Sequence, residues 1–401
     1  MPRPKLCLSM VVRNEEERLE ACLTSVAGFV DEMVLLDTGS TDATVSIAER
    51  CGALVHAMAW PGDFAPARNE ALQHVSGDWV LVLDADEQLL ESAREPLQQL
   101  LREPDLLLIN LLRFERGARQ SPYSSVSRLF RNHAAIRWSG AYHAQVDDSV
   151  LTLLQREPHW RVADCPAPAL VHDGYAPALL GERDKARRLR QAMEQELLAH
   201  PGDPYACAKL GSLDVSEGQL QRGIALLEQG LEACPQGAAP VRYELLLHLA
   251  MAVASVQPGR AEALYRQALA LPLPARVSLG ARLNLAALLC GQGQLDEAAT
   301  LCQQAGDLAP EVALSWYNLG LIERRRGRLP AAIKAYRRAI ALDDRHAEAQ
   351  QNLAVALLMS GEIAAARDGF RQAISLLRLQ GRASEAEDLR QRAAALVKLD
   401  S

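Results

Sequence analysis

The chain has 401 residues, 49% of them hydrophobic, a length for two or three domains with ample core. Its net charge of −7 argues against nucleic acid as the main partner, because binding phosphate requires a basic face. Eight scattered cysteines include no C-x-x-C pair, against a zinc site or disulfide framework, and the apolar stretch Leu6 to Val12 is too short for a signal peptide or membrane span. A cytoplasmic chain without a transmembrane segment is therefore expected.

The first half alternates strand and helix. Leu6 to Val12 reads as a first strand, and Glu16 to Ala27 has helical spacing with Leu19, Leu23 and Val26 on one face. Met33 to Leu36 is a second strand ending at Asp37, followed by the turn Thr38-Gly39-Ser40-Thr41-Asp42 and a helix from Ala43 to Arg50. Ala53 to Met58 is a short third strand, Phe64 to His74 a helix stopped by Gly77-Asp78, and Trp79 to Leu83 a fourth strand. Strands separated by short helices predict βαβ units and a mostly parallel sheet.

Polar residues gather where these strands end: Asn14 and Glu15 after the first, Asp37 to Asp42 after the second, Asp84 and Asp86 after the fourth. Ligands of open α/β sheets bind outside the carboxyl ends of strands. Ser40 or Thr41 suits a helix N-cap, which accounts for that turn without a ligand. Capping does not account for Asp37, which ends a strand. Paired carboxylates at Asp84 and Asp86 suit a hard cation such as Mg²⁺ or Mn²⁺, which also binds diphosphate oxygens. Two carboxylates facing a diphosphate would repel it without such an ion. Neither G-x-G-x-x-G after the first strand nor a P-loop motif is present.

Four segments carry a resemblance: Ser9-Met10-Val11-Val12-Arg13-Asn14-Glu15, Asp37 to Asp42, Asp63-Phe64-Ala65-Pro66-Ala67-Arg68-Asn69, and Leu83-Asp84-Ala85-Asp86-Glu87. In order and spacing they resemble the family 2 glycosyltransferases of the GT-A fold, over about residues 5 to 185. The resemblance implies an α/β, Rossmann-like N-terminal domain. It implies inverting transfer from a nucleotide-diphosphate sugar, usually UDP-linked, with Mn²⁺ or Mg²⁺. By position, Asn14 and Glu15 would lie near the nucleotide and Asp37 would bond the base. Arg68 would reach the base or diphosphate, Asp84 the ribose or sugar, and Asp86 the metal. His172, within Leu170 to Tyr175, would be a late metal ligand; a histidine capping a strand is the alternative.

An inverting transfer needs a base near the acceptor. Related sequences with a helical-repeat tail have G-x-x-H-E where this chain has Gly140-Ala141-Tyr142-His143-Ala144. The histidine is kept and the glutamate position is Ala144, so the base stays open among His143, Glu87 and Asp147. A thiol acceptor, with a pKa nearer neutrality, would need less help. Arg128 to Arg131 reads as a strand with basic residues on one face. Trp138 and Tyr142 form either an acceptor platform or part of the packing.

The second half repeats with a 34-residue period: Ala286, Gly320 and Ala354; Gly293, Gly327 and Gly361; Ala298, Ala332 and Ala366; Ala305, Ala339 and Ala373. With Tyr336 and Phe370 also in register, this resembles the tetratricopeptide repeat. About five repeats are expected over residues 203 to 378, the copy from about Val241 to Leu271 less regular, with a capping helix from Ala383 to Leu399. The domains are thus read as 1–185 (transferase), 186–202 (a connecting helix with Leu189, Met193 and Leu197 as its apolar stripe) and 203–401, an all-α repeat solenoid. Repeat arrays bind peptides or partner proteins, or form homodimers. Arg324-Arg325-Arg326 reads as a solvated turn or a basic patch. Two functions follow: a transferase whose repeats present a peptide, protein or glycan acceptor, or a non-catalytic scaffold that retains a nucleotide-sugar-binding fold.

Overall fold

A computed structural model describes residues 3–118, 122–140, 144–173 and 182–397, although the side chains of residues 182–186 and 188 lie outside the description. The chain divides into two compact units: one holds residues 1–248 with 272–277, the other residues 249–271 with 278–401.

The first unit is built on an eight-stranded mixed sheet in the order β3-β2-β1-β4-β7-β6-β8-β5. Its parallel half is β1 (Leu6–Val12), β2 (Glu32–Asp37), β3 (Leu54–Ala57) and β4 (Trp79–Val82). The other half is β5 (Glu87–Leu89), β6 (Leu106–Glu115), β7 (Tyr123–Arg131) and β8 (Arg161–His172), with β7 antiparallel to both β4 and β6. Between the strands run α1 (Leu19–Val26), α2 (Thr44–Arg50), α3 (Phe64–Gln73), α4 (Glu91–Leu100) and α5 (Asp147–Arg156).

Alternation along the strands divides the core. Leu6, Leu8, Met10, Leu81 and Leu83 pack with Leu19 and Leu23 of α1 and Leu97 of α4. Cys7, Val80, Val82 and Phe130 pack with Ala65 of α3 and Val150 and Leu153 of α5. Strands covered on both faces need apolar residues at odd and even positions, which is why β1 and β4 read as unbroken apolar runs. The chain runs β1, β2, β3 to one side, then crosses to β4 on the other side of β1. The carboxyl ends of β1 and β4 therefore meet at a topological switch point, where such sheets hold ligands.

Strand β7 departs from the simple alternation. Ile109 faces Leu129 and Leu111 faces Val126, so Ser127 and Arg128 oppose Asn110 alone. This bulge re-aims side chains locally. Leu129 and Val126 both pack on the α1 side of the sheet, while Arg128 reaches Asp84 and Arg131 lies 4.4 Å over the Trp79 ring. The expectation of basic residues on one face is corrected: residues three apart on a strand face opposite ways.

The helical part comprises α6 (Glu182–Ala199) and then five pairs: α7 (Pro204–Ser216) with α8 (Leu220–Ala233), α9 (Ala239–Val253) with α10 (Pro258–Leu269), α11 (Leu279–Gly291) with α12 (Leu295–Leu308), α13 (Ala313–Arg325) with α14 (Leu329–Leu342), and α15 (Ala347–Met359) with α16 (Ile363–Leu379). A final α17 covers Ala383–Ala394. The division between units falls inside α9. In the first unit the stripe Leu189, Met193 and Leu197 packs on Ala206, Leu210 and Leu226. In the second, Gly293, Gly327 and Gly361 each turn one helix into the next with φ of 83°, 73° and 87°, a left-handed conformation that glycine adopts without a Cβ penalty. Gly320 lets α13 approach α14: a Cβ there would stand 2.5 Å from Cε1 of the buried Tyr336 ring.

Arg324 and Arg325 close α13 and Arg326 is its C-cap; Arg325 stays exposed, but the last two are paired rather than forming a free basic patch. Arg325 donates to the Cys290 carbonyl at 2.6 Å. Arg326 pairs with Glu323 at 2.7 Å and Asp296 at 2.5 Å.

Candidate active site

The loop after β1 is tied to the loop after β2. Asn14 has φ of 54°, the one positive value among described non-glycine residues, a region that asparagine tolerates better than most. Its Oδ1 accepts from the Thr41 N–H at 2.8 Å, and its own N–H donates to Ser40 Oγ at 2.9 Å. The Glu15 N–H donates to Thr44 Oγ1 at 2.7 Å. Asp37 is buried, and its carboxylate accepts from the N–H groups of Gly39 and Ser40 at 3.1–3.2 Å. These bonds order the turn that follows β2 rather than the first turn of α2, which starts at Thr44, so helix capping does not account for Asp37. Asp42, rather than Ser40 or Thr41, accepts from the Thr44 N–H at the start of α2. A shallow cavity of about 140 Å³ opens here, lined by Asn14, Glu15, Glu16, Glu17, Arg18 and Asp42.

Asp63 caps α3 through the Ala65 N–H at 3.0 Å. From this helix Asn69 clamps the backbone of Trp138, accepting from its N–H at 2.9 Å and donating to its carbonyl at 3.0 Å. Arg68, also buried, lies 4.7 Å over the Trp138 ring and donates to Asp84 Oδ1 at 2.7 Å. Trp138 is buried against Phe130, which favours packing over an acceptor platform. Tyr142 and His143 lie outside the described residues. On either side of them, Ser139 and Gln145 form a two-bond bridge, both bonds 2.9 Å.

Asp84 follows β4 and is held on both oxygens, by Arg68 and by Arg128 Nη2 at 2.7 Å. Burial raises its carboxyl, but Arg128 and Arg68 outweigh that and keep it well below the usual carboxylate range. The two arginines more than neutralise Asp84. Asp86 and Glu15 add negative charge close by, so the two arginines alone do not remove the electrostatic reason for a cation, and the donor set bears on it further.

That donor set is Asp86 and His172. Asp86 Oδ2 stands 3.4 Å from His172 Nε2 and 3.7 Å from Arg18 Nη1. Two adjacent ligands of an octahedral ion at about 2.1 Å would stand about 3 Å apart, so the pair fits one hard cation. No group of three or more potential ligands gathers among the described residues, so an ion here would have to complete its shell with water or ligand oxygens. His172 Nδ1 lies 2.6 Å from Glu115 Oε2. Burial lowers the His172 pKa, but Asp86 and Glu115 outweigh it and raise it to about 9 in the ligand-free protein. Glu115, which burial alone would raise, is brought down to about 2, chiefly by His172 and Arg113.

Glu87 is withdrawn from the candidate bases. It is fully buried, paired to Arg113 at 2.5 Å, and accepts the Asp84 N–H at 2.9 Å, so neither oxygen is available to an acceptor. Asp147 is part-exposed at the start of α5 and accepts from Ser127 Oγ at 2.8 Å, beside the arginine that holds Asp84. Burial raises its pKa despite that bond. Ala144, in the glutamate position, packs against the apolar cluster beneath α3 and α5. Arg18, Arg113, Glu115 and Arg128 were not assigned from sequence. A carboxylate ending the apolar run of β6 was the available signal for Glu115, of the same kind as Asp37.

Parts of this chain resemble known proteins. Residues 7–162 match the family described as Glycosyl transferase family 2, and residues 283–344 and 317–378 match a tetratricopeptide repeat. A TPR repeat-containing protein of Synechococcus elongatus is 43% identical over 98% of this chain and 97% of its own length. The glycosyltransferase SunS of Bacillus subtilis is 24% identical over 50% of this chain; the match spans 47% of SunS. An uncharacterized glycosyltransferase of Rickettsia bellii is 30% identical over 37% of this chain and 52% of its own length. Among solved structures, MamA aligns with 43% of this chain and 97% of its own, at 21% identity and a TM-score of 0.38. The chain belongs with the TPR repeat-containing proteins, and its residues 7–162 form a domain that matches glycosyl transferase family 2.

Proposed function

We propose that the protein is a metal-dependent inverting glycosyltransferase that uses a UDP-linked sugar and delivers it to a peptide or protein acceptor. The observation that carries this is the Asp86–His172 pair at the switch point, beside an Asp84 that two arginines overcompensate. Mn²⁺ or Mg²⁺ held by Asp86 and His172 would supply Lewis-acid stabilisation of the departing diphosphate. Arg68 and Arg128 add fixed positive charge where that diphosphate would lie. Asn14, Glu15 and Asp37 shape the nucleotide side, mainly by ordering the loops that line it.

In the transfer, the acceptor oxygen or sulfur attacks the anomeric carbon from the face opposite the diphosphate. The new glycosidic bond forms as the carbon–oxygen bond to diphosphate breaks. UDP leaves with that electron pair, and the acceptor's proton passes to Asp147, a part-exposed carboxylate whose pKa burial raises, as it also raises that of Glu15 on the nucleotide side. The repeats would present the acceptor, since arrays of this kind offer extended binding surfaces.

A scaffold that binds but does not transfer is the second reading, favoured by Ala144 at the glutamate position. Incubating the full chain with a panel of UDP-sugars, Mn²⁺ and candidate peptides separates the two. Release of UDP with a matching mass gain on a peptide is expected. UDP binding without hydrolysis or transfer from any donor would favour the scaffold.

A further inference from the structure

We propose that Glu115 is a positioning residue for the metal-binding histidine, holding the His172 imidazole with its Nε2 lone pair turned toward Asp86. This rests on Asp86 and His172 being the ion's protein ligands. Register brings the groups together: His172, at the end of β8, lies opposite Glu115 of β6 on one side and Glu87 of β5 on the other. The Asp173 N–H donates to the Asp86 carbonyl at 3.1 Å, which fixes the two ligand-bearing segments against each other.

Glu115 is itself over-determined. Its Oε1 accepts from Arg113 Nε at 2.8 Å and from Ser124 Oγ at 2.5 Å. Arg113 is anchored in turn by Glu87 at 2.5 Å. Only Oε2 remains for His172, and it lies 2.6 Å from Nδ1. The residue is buried, and its bonds prevent it from swinging out to ligate the ion. A carboxylate that accepts Nδ1–H selects the tautomer with its lone pair on Nε2, the nitrogen that faces Asp86. The row Glu87–Arg113–Glu115–His172 thus ties the imidazole's orientation to the strand end that carries Asp84 and Asp86. A purely structural role, with His172 a cation between two carboxylates, would give the same contacts but no effect on metal.

The test uses the full chain in four forms: wild type, Glu115→Gln, Glu115→Leu and Asp86→Ala. Mn²⁺ binding in the presence of UDP is measured by electron paramagnetic resonance of the free ion, and the His172 tautomer by ¹⁵N NMR of the metal-free chain. Loss of such an outer partner typically weakens metal binding by about 10–100-fold, so Glu115→Leu should fall at the upper end and Glu115→Gln, which keeps an acceptor oxygen, at the lower. The Nδ1–H tautomer should predominate in wild type above the histidine titration and lose that preference in Glu115→Leu. If the leucine variant does not fold, the near-isosteric glutamine variant decides. Mn²⁺ binding lost in Asp86→Ala but unchanged in both Glu115 variants overturns the proposal while leaving the metal site intact. Binding unchanged in Asp86→Ala as well overturns the metal site, and the role of Glu115 with it.

Discussion

Asp84 and Asp86 stand one residue apart yet have different surroundings. Asp84 is clasped by Arg68 and Arg128, whereas Asp86 faces His172 and, more distantly, Arg18. Replacing Arg128 by Met should leave Asp84 with one arginine and destabilise the protein by about 1.5–3 kcal/mol, the worth of a hydrogen bond to a charged group. UDP binding should weaken at the same time. Urea titration and calorimetric binding of UDP check both, and an unchanged UDP affinity would remove Arg128 from the donor site. Asp147→Asn should lower turnover by about 10²–10⁴-fold, the usual contribution of a base, with donor affinity retained. Because the Asp147 pKa is raised and its active form is the carboxylate, the rate should fall as pH drops through a value above the ordinary aspartate range. A pH–rate profile with the same acid limb in the asparagine variant would assign that limb to another group.

At the scale of elements, the parallel strands and the repeats were legible because their signals are local. Apolar runs mark strands buried on both faces, and a 34-residue period marks stacked helix pairs. The half of the sheet made by β5 to β8 was largely not legible. Strand β5 spans only Glu87–Leu89 and has no pattern of its own. The Glu115–His172 contact joins residues 57 apart in sequence, and only strand register reveals it. The bulge that turns Ser127 and Arg128 is likewise a property of pairing. Asp37 is ambiguous for a different reason: a strand-end carboxylate looks the same in sequence whether it awaits a ligand or orders its own turn. In the repeats, Gly320→Ala would press a methyl group into the Tyr336 ring. Overpacking of this kind typically costs about 1–3 kcal/mol, to be read as a lowered unfolding midpoint. An unchanged midpoint would mean that α13 and α14 can move apart at no cost.

For the whole molecule, the division into two compact units predicts more than one unfolding transition in calorimetry. Gly320→Ala should shift only one of them and leave UDP binding unchanged. No helix among the described residues is long and apolar enough to cross a membrane. The family and the repeat domain follow from motifs that the sequence carries openly, while donor, acceptor and metal depend on how a few side chains meet at the switch point. The most direct measurement is calorimetric binding of UDP to the full chain, with and without Mn²⁺, in wild type and Asp86→Ala. Binding should be tight only when Mn²⁺ and Asp86 are both present, with the helical circular dichroism of the variant intact. UDP binding that ignores both the ion and the substitution would contradict the proposed site.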